Sequence, residues 1–184
     1  MSTIDAPSQL IDELLCERRS RGADLYDYQV GDRYVVAPMA NFDHQGLSAR
    51  ILVALGPLVD LEGLRYFPGG NLGQTSKDAS GRAWYLVPDG LVAPAPPPET
   101  VAITAAVIAI EILSPSEDRA KKLADYRMVH SHVGLGLEEV WYVDPATATV
   151  TVFTSPLESD ESDIARPGDT GLRPWLQVVV ELLA

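Results

Sequence analysis

Between Ile103 and Leu113 the chain is apolar at almost every position and rich in β-branched residues. It lacks the in–out alternation of a half-solvated strand, so it predicts a central strand buried on both faces. A strand covered on both sides needs layers above and below it. The rest of the sequence supplies them, and the predicted class is α/β (α+β), a mixed sheet flanked by helices.

Ser8 to Arg21 reads as a helix, capped by Ser8, with Leu10, Ile11, Leu14 and Leu15 on one face and Gly22 as its stop. Tyr26 to Pro38 reads as two short strands around a turn at Val30-Gly31. Leu47, Ile51, Leu55 and Leu58 recur at spacings of four and three, which predicts a helix from Phe42 to Leu61, kinked or ended by Pro57. Arg65–Phe67 and Trp84–Val92 read as strands, separated by a surface loop over Gly69–Gly81. Val92 to Pro98 holds four prolines and reads as unpaired extended chain. Asp118 to His130 reads as a helix, Glu139 to Asp144 and Val150 to Thr154 as a hairpin, and Trp175 to Leu183 as a strand or short helix. The acidic stretch Leu157–Asp169 reads as structureless. The division expected is an N-terminal helix over residues 1–24 and one α/β domain over 25–184.

Composition excludes several classes. A single cysteine, Cys16, rules out an internal disulfide framework and a multi-cysteine zinc site. The longest largely apolar stretch, Val101 to Ile110, is half of what a bilayer span requires. No secretory signal is visible, so the expectation is a soluble cytoplasmic protein without membrane contact. With 26 acidic against 14 basic residues the net charge is −12, which argues against a general nucleic-acid coat. No P-loop, dinucleotide-binding glycine motif or nucleophile elbow occurs. His130 and His132 lack a third ligand and read as a solvated loop. Asp32 reads as a turn residue, and Trp84, Trp141 and Trp175 as packing residues.

Two carboxylates stand out. Asp89 follows Pro88 at a strand end, and Glu111 interrupts the apolar run. An unpaired buried carboxylate is costly, so each must be protonated, paired or metal-bound. Two acids from adjacent strands, with a backbone carbonyl such as that of Ile112, suit Mg²⁺, which takes one or two carboxylates and keeps waters. The alternative stays open at this point: Asp89 as a turn residue and Glu111 as a salt-bridged group.

Five segments, in order, resemble the Uma-type family of bacterial restriction endonucleases within the PD-(D/E)XK nuclease superfamily. They are Asp43-His44-Gln45, then Val87-Pro88-Asp89, then Glu111 to Pro115. Asp118, Lys122 and Tyr126 follow at spacings of four. Last come Gly136, Glu139, Trp141 and Val143-Asp144-Pro145. The resemblance covers residues 25 to 183 and implies a restriction-endonuclease-like fold. It implies Mg²⁺- or Mn²⁺-dependent hydrolysis of phosphodiesters, with DNA as the substrate and a homodimer as the assembly. Asp89 and Glu111 would hold the metal and Lys122 would complete the catalytic set. His44, Ser114, Asp118 and Tyr126 would be further contacts. The chain departs from the pattern in three places. Leu113 stands where the wider superfamily has lysine, extra residues separate Tyr126 from Gly136, and Gly90 replaces a bulkier apolar residue. The competing function is a binding or scaffold domain that kept the fold without efficient catalysis. The net charge favours it, since −12 opposes a polyanion.

Overall fold

The computed structural model describes residues 2–4, 27–31, 33–36, 42–97, 100, 102–115, 117–155, 157 and 162–184. The expected helix Ser8–Arg21, Cys16 and Asp32 lie outside the described residues.

The central strand is where the apolar run requires it. β8 (Ala105–Ile112) sits inside a six-stranded sheet ordered β11-β10-β9-β8-β7-β4. Its neighbours are β9 (Gly136–Asp144), which runs parallel, and β7 (Gly90–Pro94), which runs antiparallel. β4 (Leu64–Pro68) closes one edge. β10 (Thr149–Thr154) and β11 (Asp163–Ala165) close the other. From Ile108 on, even and odd residues of this run divide between two cores. Ile108, Ile110 and Ile112 pack with helix α1 (Phe42–Leu61) through Leu47, Ile51, Leu55 and Val59, and with helix α3 (Pro174–Glu181) through Leu176, Val179 and Val180. Ala109 and Leu113 face the other way, toward Leu123, Tyr126 and Val129 of helix α2 (Arg119–Val133). Burial on both faces, rather than propensity, makes this run a strand.

A second, five-stranded sheet lies beyond α2, ordered β1-β3-β2-β6-β5. Its strands are β1 (Ser2–Ile4), β2 (Asp27–Gly31), β3 (Arg33–Val36), β5 (Leu72–Gln74) and β6 (Ala83–Leu86). Val30, Leu72, Trp84 and Leu86 share the core of α2. α2 is therefore gripped by a sheet on each side, which is why most of one helix face is apolar.

Several expectations needed correction. Trp84–Val92 is not one strand: β6 and β7 belong to different sheets, and Pro88, with no N–H to donate to a ladder, lies in the crossing between them. Val92 to Pro94 is paired in β7 rather than free. The Gly69–Gly81 connection contains β5, fixed where Gly73 N–H donates to the Ile103 carbonyl at 2.8 Å and Ile103 N–H donates to that of Asn71 at 2.8 Å. The acidic stretch contributes β11. Pro57 does not end α1, which runs on to Leu61. The proline is exposed and forfeits one helical hydrogen bond, while Ile51, Leu55 and Val59 are fully buried on either side of it. His130 and His132 lie in the last turn of α2, not in a loop. The His132 ring stacks on Trp84 with centroids 3.6 Å apart.

The ends of α2 follow local rules. Asp118 is the N-cap, its carboxylate accepting from Lys121 N–H at 3.0 Å, and Gly134 closes the helix in a left-handed conformation (φ 67°). Arg119 pairs with Asp144 at the end of β9, which fixes the start of the helix against the sheet. Asp118→Ala should cost about 1 kcal/mol. In a chain of this size that is a fall of roughly 2–4 °C in Tm. A thermal melt that shows no fall would remove the cap from the account.

Candidate active site

The site forms at the C-terminal end of β8, where the two cores meet. Gly90 of β7 pairs with Ile110, so Asp89 stands one step before the ladder begins, level with Glu111. Asp89 completes the ladder with its side chain. Its Oδ2 accepts from the Ile112 backbone N–H at 2.7 Å and lies 3.2 Å from His44 Nε2. His44, in the first turn of α1, also meets the Ile112 backbone. The Asp89 carboxylate raises the pKa of the imidazole, and burial works against that rise.

Glu111 is 3% exposed and points toward α2. Its Oε1 accepts from the Tyr126 hydroxyl at 2.7 Å, and its Oε2 lies 2.6 Å from Lys122 Nζ. Lys122 and Tyr126 are four residues apart, so both project from one face of α2. Lys122 Nζ also touches Glu117 Oε1 at 2.5 Å. Burial pushes Glu111 up to about 7 despite the pull of Lys122, and the charge of Asp89 adds to the rise. Burial alone would favour neutral Lys122. Glu111, Glu117 and Asp89 together outweigh that and hold its pKa above the ordinary lysine value. Burial, and next the charge of Glu111, keep the Tyr126 phenol protonated.

The structure thus brings together Asp89, Glu111, Lys122, His44 and Tyr126 from α1, the start of β7, β8 and α2. Ser114 and Asp118 stand apart from this cluster. Ser114 is exposed and its N–H donates to Glu117 at 3.3 Å, while Asp118 caps the helix. Glu117 is the participant that sequence reading missed. The available signal was the Ser-x-x-Glu pattern of Ser114 and Glu117 ahead of a helix, which reads as helix-capping chemistry rather than a site.

Donor chemistry is compatible with a hard divalent cation. Among the described residues, no three His, Cys, Asp or Glu side chains converge as a metal group. A cation here would have two carboxylates and water, which Mg²⁺ tolerates and a structural zinc does not. Asp89 uses only Oδ2 in the bonds described above, so Oδ1 stays available.

Among the described residues, two sheets, three helices and an acidic cluster at the end of a central strand define a restriction-endonuclease-like architecture. The model of the family described as "Uma2: Putative restriction endonuclease" matches residues 13–176, and the chain belongs to that family. Among solved structures, the chain is similar to one described as a putative nuclease belonging to DUF820 from Anabaena variabilis. The TM-score is 0.63 and the identity 18%, covering 94% of this chain and 98% of that one. At that identity the likeness concerns the fold. No curated protein matches. No helix among the described residues is long and apolar enough to cross a membrane.

Proposed function

We infer that this chain is a Mg²⁺-dependent (or Mn²⁺-dependent) hydrolase of phosphodiester bonds, with DNA as the substrate class. One observation carries the reading: the buried Lys122 ammonium lies 2.6 Å from Glu111, which stands level with Asp89 at the start of the neighbouring strand. A structural ion pair needs two partners. Here a second carboxylate, held by the Ile112 N–H and His44, shares the same strand end.

Asp89 and Glu111 would hold the metal, which supplies positive charge to a phosphate and lowers the pKa of a bound water. His44 and the Ile112 N–H keep the Asp89 carboxylate in one orientation, so its free oxygen is preorganised. Tyr126 does the same for Glu111. Lys122 stays protonated and offers a fixed positive charge to the charge that develops on the phosphate. Ser114 and Asp118 contribute through the loop and cap that set the start of α2. Cutting both strands of a duplex calls for two such sites, which a homodimer supplies.

The test compares two lysines on one helix turn. Lys122→Met should lower Mg²⁺-dependent cleavage of duplex DNA by about 10²-fold, the scale of one lost electrostatic stabiliser. Lys121→Met should leave it unchanged. Both variants are assayed where circular dichroism shows them folded. Equal losses would point to diffuse attraction and remove Lys122 from the mechanism. A second reading, a DNA-independent binding domain, is favoured by the net charge of −12. It predicts no cleavage by the native chain under any metal.

A further inference from the structure

Tyr66 of β4 pairs with Val92, two residues along β7 from Gly90. Its ring extends along β7 toward Asp89. The hydroxyl oxygen lies 2.1 Å, and ring Cζ 2.6 Å, from the point where a Cβ on residue 90 would stand. Any side chain at position 90 would expel the phenol. Gly90, the departure noted next to the acidic motif, therefore opens the space that Tyr66 fills.

Three observations give the hydroxyl a task. First, Tyr66 is half-buried and its hydroxyl makes no hydrogen bond within the described residues, yet the oxygen is not sealed from solvent, so it is open to a ligand. Second, it is beside Asp89 on the face of the sheet opposite Lys122: Tyr66 packs with the core of α1, Lys122 comes from α2. Third, a phenol carries its proton at neutral pH and can donate it to an anionic oxygen.

The geometry points to Tyr66 as a substrate-binding residue whose hydroxyl donates a hydrogen bond to a non-bridging oxygen of the phosphodiester held at Asp89 and Glu111. The role rests on the hydrolase reading above. It adds a neutral donor on the side of the site that Lys122 does not reach. A neutral donor suits this position, since a second cation there would compete with the metal for Asp89.

Two calorimetric titrations test it on the full chain: Mg²⁺ alone, then dimethyl phosphate into the Mg²⁺-saturated protein. Tyr66→Phe keeps the ring and removes the donor. The expected result is unchanged Mg²⁺ affinity and dimethyl phosphate affinity reduced about tenfold, the value of one hydrogen bond to a charged group. Equal dimethyl phosphate affinity in the native chain and Tyr66→Phe would overturn the role of Tyr66 and leave the metal site standing. Weakened Mg²⁺ affinity in Tyr66→Phe would also overturn it, since the ring would then act through Asp89. Absence of Mg²⁺ binding by the native chain would overturn the hydrolase reading and this role together.

Discussion

Lys122→Met should destabilise the metal-free protein strongly at pH 8 and only slightly at pH 5. Its ammonium is the partner of Glu111, a carboxylate 3% exposed, and of Glu117. Removing one member of a buried ion pair leaves an uncompensated charge and costs about 3–5 kcal/mol. For a chain of this length that is on the order of 10 °C in Tm. The pH dependence follows from Glu111. In the native protein burial already raises its pKa to about 7, from an ordinary value of 4.5. A carboxyl raised on folding destabilises the fold progressively as pH climbs from the unfolded value through the folded one. Without Lys122 the folded value rises further, because that lysine is the main influence pulling it down. At pH 8 the variant must then either ionise Glu111 without its ammonium or hold a proton that the unfolded chain releases. At pH 5 Glu111 is neutral in the folded variant and the unfolded chain gains little by ionising it. What remains is the lost packing of the lysine stem and the Glu117 contact. The titration of Lys122 itself adds no pH dependence between pH 5 and pH 8, since the stability that goes with its raised pKa is fully present below the ordinary lysine value and is lost only at higher pH. Thermal melts in chelator at the two pH values measure the difference. A Tm loss equal at pH 5 and pH 8 would show that Glu111 is not the group that Lys122 neutralises.

The parts of this fold that could be read from sequence are those set by local, redundant signals. Ile103–Leu113 is apolar at almost every position and its residues 108–113 are all buried, and Glu111 is conspicuous there because a lone buried carboxylate is so costly. The α1 period and the β9–β10 hairpin are similarly local. What could not be read depends on contacts distant in sequence. Nothing in Trp84–Val92 says that the chain changes sheets at Pro88. β5 is three residues long and exists through its bonds to Ile103 and β6. β11 lies in an acidic stretch and is created by pairing with β10. Pro57 carried a strong local signal that packing on both sides overrode. At the site, Asp89 and Glu111 were visible as chemistry out of place. Tyr66 was not, because an aromatic residue in a strand reads as packing until the space above Gly90 is seen.

Whether Asp89 and Glu111 form one cation site is measured by calorimetric titration of Mg²⁺ or Mn²⁺, without any assumption about substrate. The native chain should bind one ion per chain. Asp89→Ala should bind none, because the oxygen left free by His44 and the Ile112 N–H is gone. Glu111→Gln should also bind none, since a neutral amide is a poor ligand for a hard cation. Both variants should remain folded. Asp89 is partly exposed, and in Glu111→Gln the amide oxygen still accepts from Lys122, which keeps Glu117 as a charged partner. A saturable isotherm in the native chain that disappears in both folded variants is the predicted result. A native isotherm that persists unchanged in Asp89→Ala, or no binding by the native chain at all, would contradict the account.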